Sequence, residues 1–154
     1  MPKQQMDFDT QRVLVKPLMA HLASLSSDGP RDSPVWFLWE DDCLWLIGTS
    51  RDSFVRRLEA EPRCAVGIVD FDVDRGILMH VGIRGLADVG PMQPERLHRL
   101  LARYLGPDPA AWNAWFKETV VEPLDVMVRV TPSTMVAKDV SYFLTGPELA
   151  SLRG

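Results

Sequence analysis

The stretch GTSRDSFVRR, residues 48 to 57, gathers the residue types that bind an oxyanion. Thr49, Ser50 and Ser53 offer hydroxyls, and Arg51 with Arg56 or Arg57 offers guanidinium groups. A helix entered at Asp52 or Ser53 would add free backbone N–H groups. That chemistry suits a phosphate. The same residues also describe a capped surface helix with solvated arginines. Elsewhere the chain has no GxSxG, GxGxxG, P-loop or HExxH motif. His21, His80 and His98 are widely spread, and no Ser or Cys stands in a nucleophile context, so no catalytic residue is assigned. Any chemistry is expected of a bound cofactor. Cys43 and Cys64 stand in apolar runs without CxxC spacing, and they read as core residues rather than a disulfide or metal ligands.

The elements that must position these residues are readable from hydrophobic period. Residues 9 to 18, DTQRVLVKPL, predict a short opening helix. MAHLASLS then alternates with period two, placing Met19, His21, Ala23 and Leu25 on one face and Ala20, Leu22, Ser24 and Ser26 on the other. His21, among apolar neighbours, reads as a hydrogen-bonded core histidine. SPVWFLWE and CLWLIGTS predict the next two strands of an antiparallel meander. Asp52 to Glu61 predicts a helix stopped by Pro62. CAVGIVDF and ILMHVGIRGLADV predict two further strands, and four glycines in this region mark bulges or close backbone approach. PERLHRLLARYL, residues 94 to 105, predicts an amphipathic helix, and PDPAAWNAWFKETV another with Trp112, Trp115 and Phe116 on one face. LDVMVRVT and TMVAKDV predict final strands joined at Pro132. Strands outnumber helices without a βαβ rhythm. The expected fold is mainly β: one domain over residues 1–154, an antiparallel β-barrel of six to seven strands with peripheral helices.

The order of these phrases carries a resemblance. From the opening helix through PLMAHLASLSSDG, SPVWFLW, the Gly-Thr-Ser strand end and EAEPRCAV to Asp88, about half of the chain resembles the pyridoxamine-phosphate-oxidase-like FMN-binding split barrels. The resemblance implies that backbone groups of Val35, Trp36 and Phe37 lie along an isoalloxazine ring. It implies that Thr49, Ser50, Arg51 and Ser53 hold the FMN phosphate, with Arg56 or Arg57 as additional candidates. It implies that His80 stands beside the ring from a second subunit, so that the site needs a homodimer. Many members begin the phosphate helix with a basic pair where this chain has Ser53 and Phe54. The C-terminal segment also lacks the Trp-Pro and Arg phrases of true pyridoxamine-phosphate oxidases. The resemblance therefore implies a fold and a cofactor class rather than that substrate.

Composition bounds the rest. With 154 residues, 46% hydrophobic and 25% charged, the chain has ordinary globular makeup. Seventeen basic against 21 acidic residues give a net charge of -4, which lacks the general positive field of nucleic-acid binders, so no nucleic-acid partner is expected. Apolar runs are too short to span a bilayer, so no membrane association is expected. The opening MPKQQMDFDTQR has no apolar targeting core, and the expected location is the cytoplasm. The leading expectation is an FMN-dependent oxidoreductase acting on a small substrate. A deazaflavin in the same groove, or a non-catalytic module that carries or senses flavin or haem, are the alternatives, together with a structural subunit without cofactor.

Overall fold

A computed structural model of the chain describes residues 5–113 and 124–142. Short helix α1 (Gln11–Leu14) buries Val13 and Leu14 and leads into β1 (Ala20–Ser26). Then follow β2 (Gly29–Val35), β3 (Leu38–Glu40), β4 (Cys43–Gly48), α2 (Ser53–Ala60), β5 (Arg63–Asp72), β6 (Ile77–Pro91), α3 (Pro94–Leu105), a 3-10 turn at Pro109–Ala111, and β7 (Val126–Asp139).

All seven strands form one antiparallel sheet in the order β2-β1-β5-β6-β7-β4-β3. The two edge strands, β2 and β3, are joined by only Trp36 and Phe37. Val35 and Leu38 are three Cα steps apart, at most about 11 Å. The sheet must therefore curl until its edges nearly meet, which makes a barrel split at that seam. SPVWFLWE is accordingly not one strand: its first half ends one edge of the sheet and its second half begins the other. The β3–β4 hairpin turns on Asp41 and Asp42, both at positive φ (54° and 55°), the conformation a two-residue hairpin loop demands.

The inner face is set by period two. Ala20 and Leu22 of β1, Val66 and Ile68 of β5, Val81 and Ile83 of β6, and Val128 and Val130 of β7 are buried inside, and Val55 and Leu58 of α2 join this core. His21 falls on the opposite, outer face, exposed and bonded to Asp32 rather than buried, because Ala20, Leu22 and Ser24 take the interior. α3 covers only part of the outer face. Its Leu97, Leu100 and Leu101 pack with Leu38, Trp45 and Met127, over strands β3, β4 and β7. β4 is thus buried on both sides, which explains the unbroken run CLWLIG. Trp112 joins this cluster and donates its indole N–H to the Gly106 carbonyl at 2.8 Å. Most of the second expected helix, with Trp115 and Phe116, lies outside the described residues.

The expected strands meeting at Pro132 are one strand, β7, running past a bulge. The register against β6 shifts between Arg84 and Gly85, where Gly85 pairs with Pro132. Proline is tolerated there because a bulge does not demand its missing N–H. Gly85 is required at that point: a Cβ would fall 2.3 Å from the Thr131 carbonyl oxygen.

Candidate functional site

β4 ends at Gly48, and the chain turns through Thr49 to Arg51 into α2. The Thr49 N–H donates to the Asp52 carboxyl at 2.7 Å, and the Arg51 N–H donates to Thr49 Oγ1. Ser50 donates both its N–H and its hydroxyl to Asp125, each at 2.8 Å. These bonds hold the Asp125 carboxyl below the usual range. The donors expected to meet a phosphate are therefore turned to two carboxyl groups of the chain itself. Arg51, Ser53 and Arg56 are exposed at the same end of the helix. Phe54 is directed inward: it packs against the barrel core, and a Cβ on Gly48 would fall 2.9 Å from its ring.

One turn further along α2 the arrangement changes. Arg57 Nε donates to Ser24 Oγ at 2.9 Å, and its Nη2 donates to Ser33 Oγ at 3.1 Å. Ser24 is a polar side chain on the interior face of β1, only 1% exposed. A half-buried guanidinium flanked by two hydroxyls is a ready donor set for a phosphate oxygen. Ser24 and Ser33 had a signal in the sequence, since period two puts a serine on the same face as Ala20 and Leu22.

The crossing at Trp36 and Phe37 is pinned by α3. Tyr104 Oη accepts the Phe37 N–H at 3.0 Å and donates to the Leu18 carbonyl at 2.7 Å. The Trp36 and Tyr104 rings stack with centroids 4.5 Å apart and planes 3° from parallel. Burial pushes the Tyr104 hydroxyl pKa up, against smaller opposing contributions from Phe37 and Arg103. Arg103 donates to the Leu14 and Lys16 carbonyls, fixing the end of α1 beside the same crossing. The Phe37 side chain is wholly buried in the core, Val35 is half-buried, and Trp36 is half-buried at the seam.

His80 lies elsewhere, on the outer face of β6 and in a groove of about 610 Å³ across β1, β5, β6 and β7. The groove floor carries two facing glycines, with the Val136 side chain 3.1 Å from where a Gly82 Cβ would stand. Gly67 and Gly82 are directly paired across β5 and β6, and the His80 imidazole lies beside both: Cβ atoms there would fall 3.7 Å and 3.2 Å from it. The glycine pair lets the His80 imidazole itself lie close to the backbone. His21, opposite Gly67 on β1, borders the same groove, with its Nδ1 3.2 Å from Asp32. The uncovered half of the outer face also carries Leu25, Val69, Phe71 and Leu86, each more than 40% exposed. Within one chain the groove and the segment 49–57 are distinct places. Among the described residues, no group of three or more His, Cys, Asp or Glu side chains could hold a metal ion, and no helix is long and apolar enough to cross a membrane.

No family model and no curated protein matches the sequence. Solved structures match in fold. One, an F420 reductase, is 25% identical with a TM-score of 0.64, over 88% of this chain and 98% of that one. A conserved hypothetical protein from Mycobacterium tuberculosis is 23% identical with a TM-score of 0.71, over 94% and 97%. A FAD-binding protein from Mesorhizobium loti is 16% identical with a TM-score of 0.66, over 90% and 98%. The fold of the chain is that of the pyridoxamine-phosphate-oxidase-like split barrels.

Proposed function

We propose that this split barrel holds FMN, or a deazaflavin in the same manner, at a site shared between two copies, and exchanges electrons with a small substrate. The observation that carries the proposal is the outer groove, where the His80 imidazole lies over the paired Gly67 and Gly82. The groove's volume falls within the roughly 300–1,000 Å³ usual for small-molecule sites. The names of the F420 reductase and the FAD-binding protein support a flavin-type group over other aromatic ligands. When bound, that group supplies the electron chemistry.

The chain's own residues bind and orient it. Arg57, held between Ser24 and Ser33, takes the phosphate, and the backbone at Val35 and Trp36 flanks the ring. Thr49 and Ser50 take part only if Asp52 and Asp125 give up their bonds, whereas the Arg51 and Ser53 side chains are exposed at the same helix end. His80 meets the ring from a second copy, because one chain keeps it apart from α2. The exposed Leu25, Val69, Phe71 and Leu86 make the uncovered outer face a suitable surface for that second copy.

Titration of the purified protein with FMN and with a deazaflavin, followed by fluorescence, tests the reading. Saturable binding is expected. Arg57→Met should weaken it roughly 10- to 150-fold, the loss of one charge-assisted hydrogen bond of about 1.5–3 kcal/mol. Binding of neither cofactor would refute the reading, and an unchanged affinity in the variant would remove Arg57 from the phosphate. Binding without turnover in a screen of reductants and acceptors would make the protein a carrier or sensor.

A further inference from the structure

We infer that the outer groove binds an oxyanion, a carboxylate or phosphate borne by the small substrate, through Arg84 and Lys138 with His80 beside them. His80 and Arg84 lie four residues apart on β6, so both project from the face that carries the groove. Lys138 of β7 stands directly opposite His80, and Thr134 directly opposite Arg84. Arg84 and Lys138 thus stand on neighbouring strands and both line the groove.

The charge around the strip points the same way. No carboxyl side chain lines the groove among the described residues, although the chain as a whole carries a net charge of -4. Asp32, on the same face of β2, is turned to His21. Five surface arginines are matched by acids, Arg31 by Asp28, Arg63 by Glu61, Arg75 by Asp72, Arg99 by Glu40 and Arg129 by Asp88, whereas the exposed Arg12, Arg51 and Arg56 have no ion pair among the described residues. Arg84 and Lys138 have no ion pair among the described residues. The strip adjoins His80 above the Gly67–Gly82 pair, so an anion held there would bring the rest of its molecule beside the imidazole. Thr134 supplies a hydroxyl at the same end.

Naming the anion as substrate rests on the cofactor reading. The anion site itself does not, and it is tested on cofactor-free full-length protein. Inorganic phosphate and citrate are titrated separately by calorimetry into the wild type and into Arg84→Gln, Lys138→Gln and Arg75→Gln, with circular dichroism confirming that each variant is folded. Saturable binding of at least one probe is expected, phosphate alone indicating a phosphate ester and citrate alone a carboxylate. Arg84→Gln and Lys138→Gln should each weaken it about tenfold or more, and Arg75→Gln, in the turn between β5 and β6, should leave it unchanged. Binding of neither probe would overturn the inference. So would binding that survives both groove substitutions, or that is lost in Arg57→Met and not in Arg84→Gln, which would place the anion at α2. FMN failing to bind while these results hold would refute the cofactor reading and leave the anion site standing.

Discussion

Tyr104→Phe removes one oxygen and leaves the stacked ring in place. In the wild type that oxygen accepts the Phe37 N–H at 3.0 Å and donates to the Leu18 carbonyl at 2.7 Å, joining α3 to the seam between the two sheet edges. The variant strands two partly buried backbone groups, each costing about 1–3 kcal/mol when left without a partner. Water reaches this half-buried site, so the lower part of that range applies and the total is about 2–3 kcal/mol. For a domain of this size each kcal/mol lowers Tm by roughly 2–4 °C, giving a fall of about 4–12 °C. Melting followed by far-UV circular dichroism measures the stability, and tryptophan fluorescence reports on Trp36. Tyr104→Leu should lose about 0.5–1.5 kcal/mol more, since it also removes the 4.5 Å ring stack. A Tyr104→Phe protein melting within about 1 °C of wild type would refute the claim that this hydroxyl pins the seam.

Gly85→Ala sets a new methyl against the Thr131 carbonyl, which is backbone and cannot swing aside, and should cost about 1–3 kcal/mol in denaturant unfolding. Gly90→Ala, with no atom within 4 Å of its Cβ, should be neutral or slightly stabilising in the same assay, and equal effects at the two sites would contradict the bulge account. Glu40 clips α3 to the β3–β4 hairpin through two bonds to Arg99, at 2.6 and 2.9 Å; the Arg99 hydrogen bond is the largest influence holding its carboxyl below 4.5. A carboxyl that ionises more readily folded than unfolded contributes above its unfolded pKa and loses that contribution as pH falls through the lower folded value. Glu40→Gln should therefore lower the stability slightly at pH 7, by at most about 1 kcal/mol after solvent screening. The difference between variant and wild type should shrink as pH falls below 4.5, and a gap that widens on acidification would contradict the assignment.

Elements with a strong local period were legible. The stripe of Leu97, Leu100, Leu101, Tyr104 and Leu105 gave α3 its bounds, alternation gave β1, and apolar runs between polar breaks gave β4, β5 and β6. What could not be read locally was decided by partners distant in the chain. SPVWFLWE has the β-propensity of one strand, yet Tyr104 takes the Phe37 N–H and the core takes its ring, so the segment divides between two sheet edges. Pro132 looked like a strand end because its missing N–H is harmless only opposite the bulge at Gly85. The residue types for an anion site were visible between Thr49 and Arg57, but not their partners. Asp125, 75 residues beyond Ser50, takes both donors of that serine, while Ser24 and Ser33 come to Arg57 from β1 and β2. His21 was placed on its correct strand and wrongly in the core, since alternation identifies two faces without saying which is inside.

The central claim is a flavin-type site built by two copies, with Arg57 from one chain and His80 from the other. Co-expression of Arg57→Met with His80→Ala under different tags allows purification of mixed dimers, in which one site carries both substitutions and the other carries neither. The account predicts that each variant alone binds FMN weakly and that the mixed dimer binds one FMN per dimer with wild-type affinity. A mixed dimer that binds as weakly as its parents, or a monomer that binds FMN as tightly as the wild type, would contradict it.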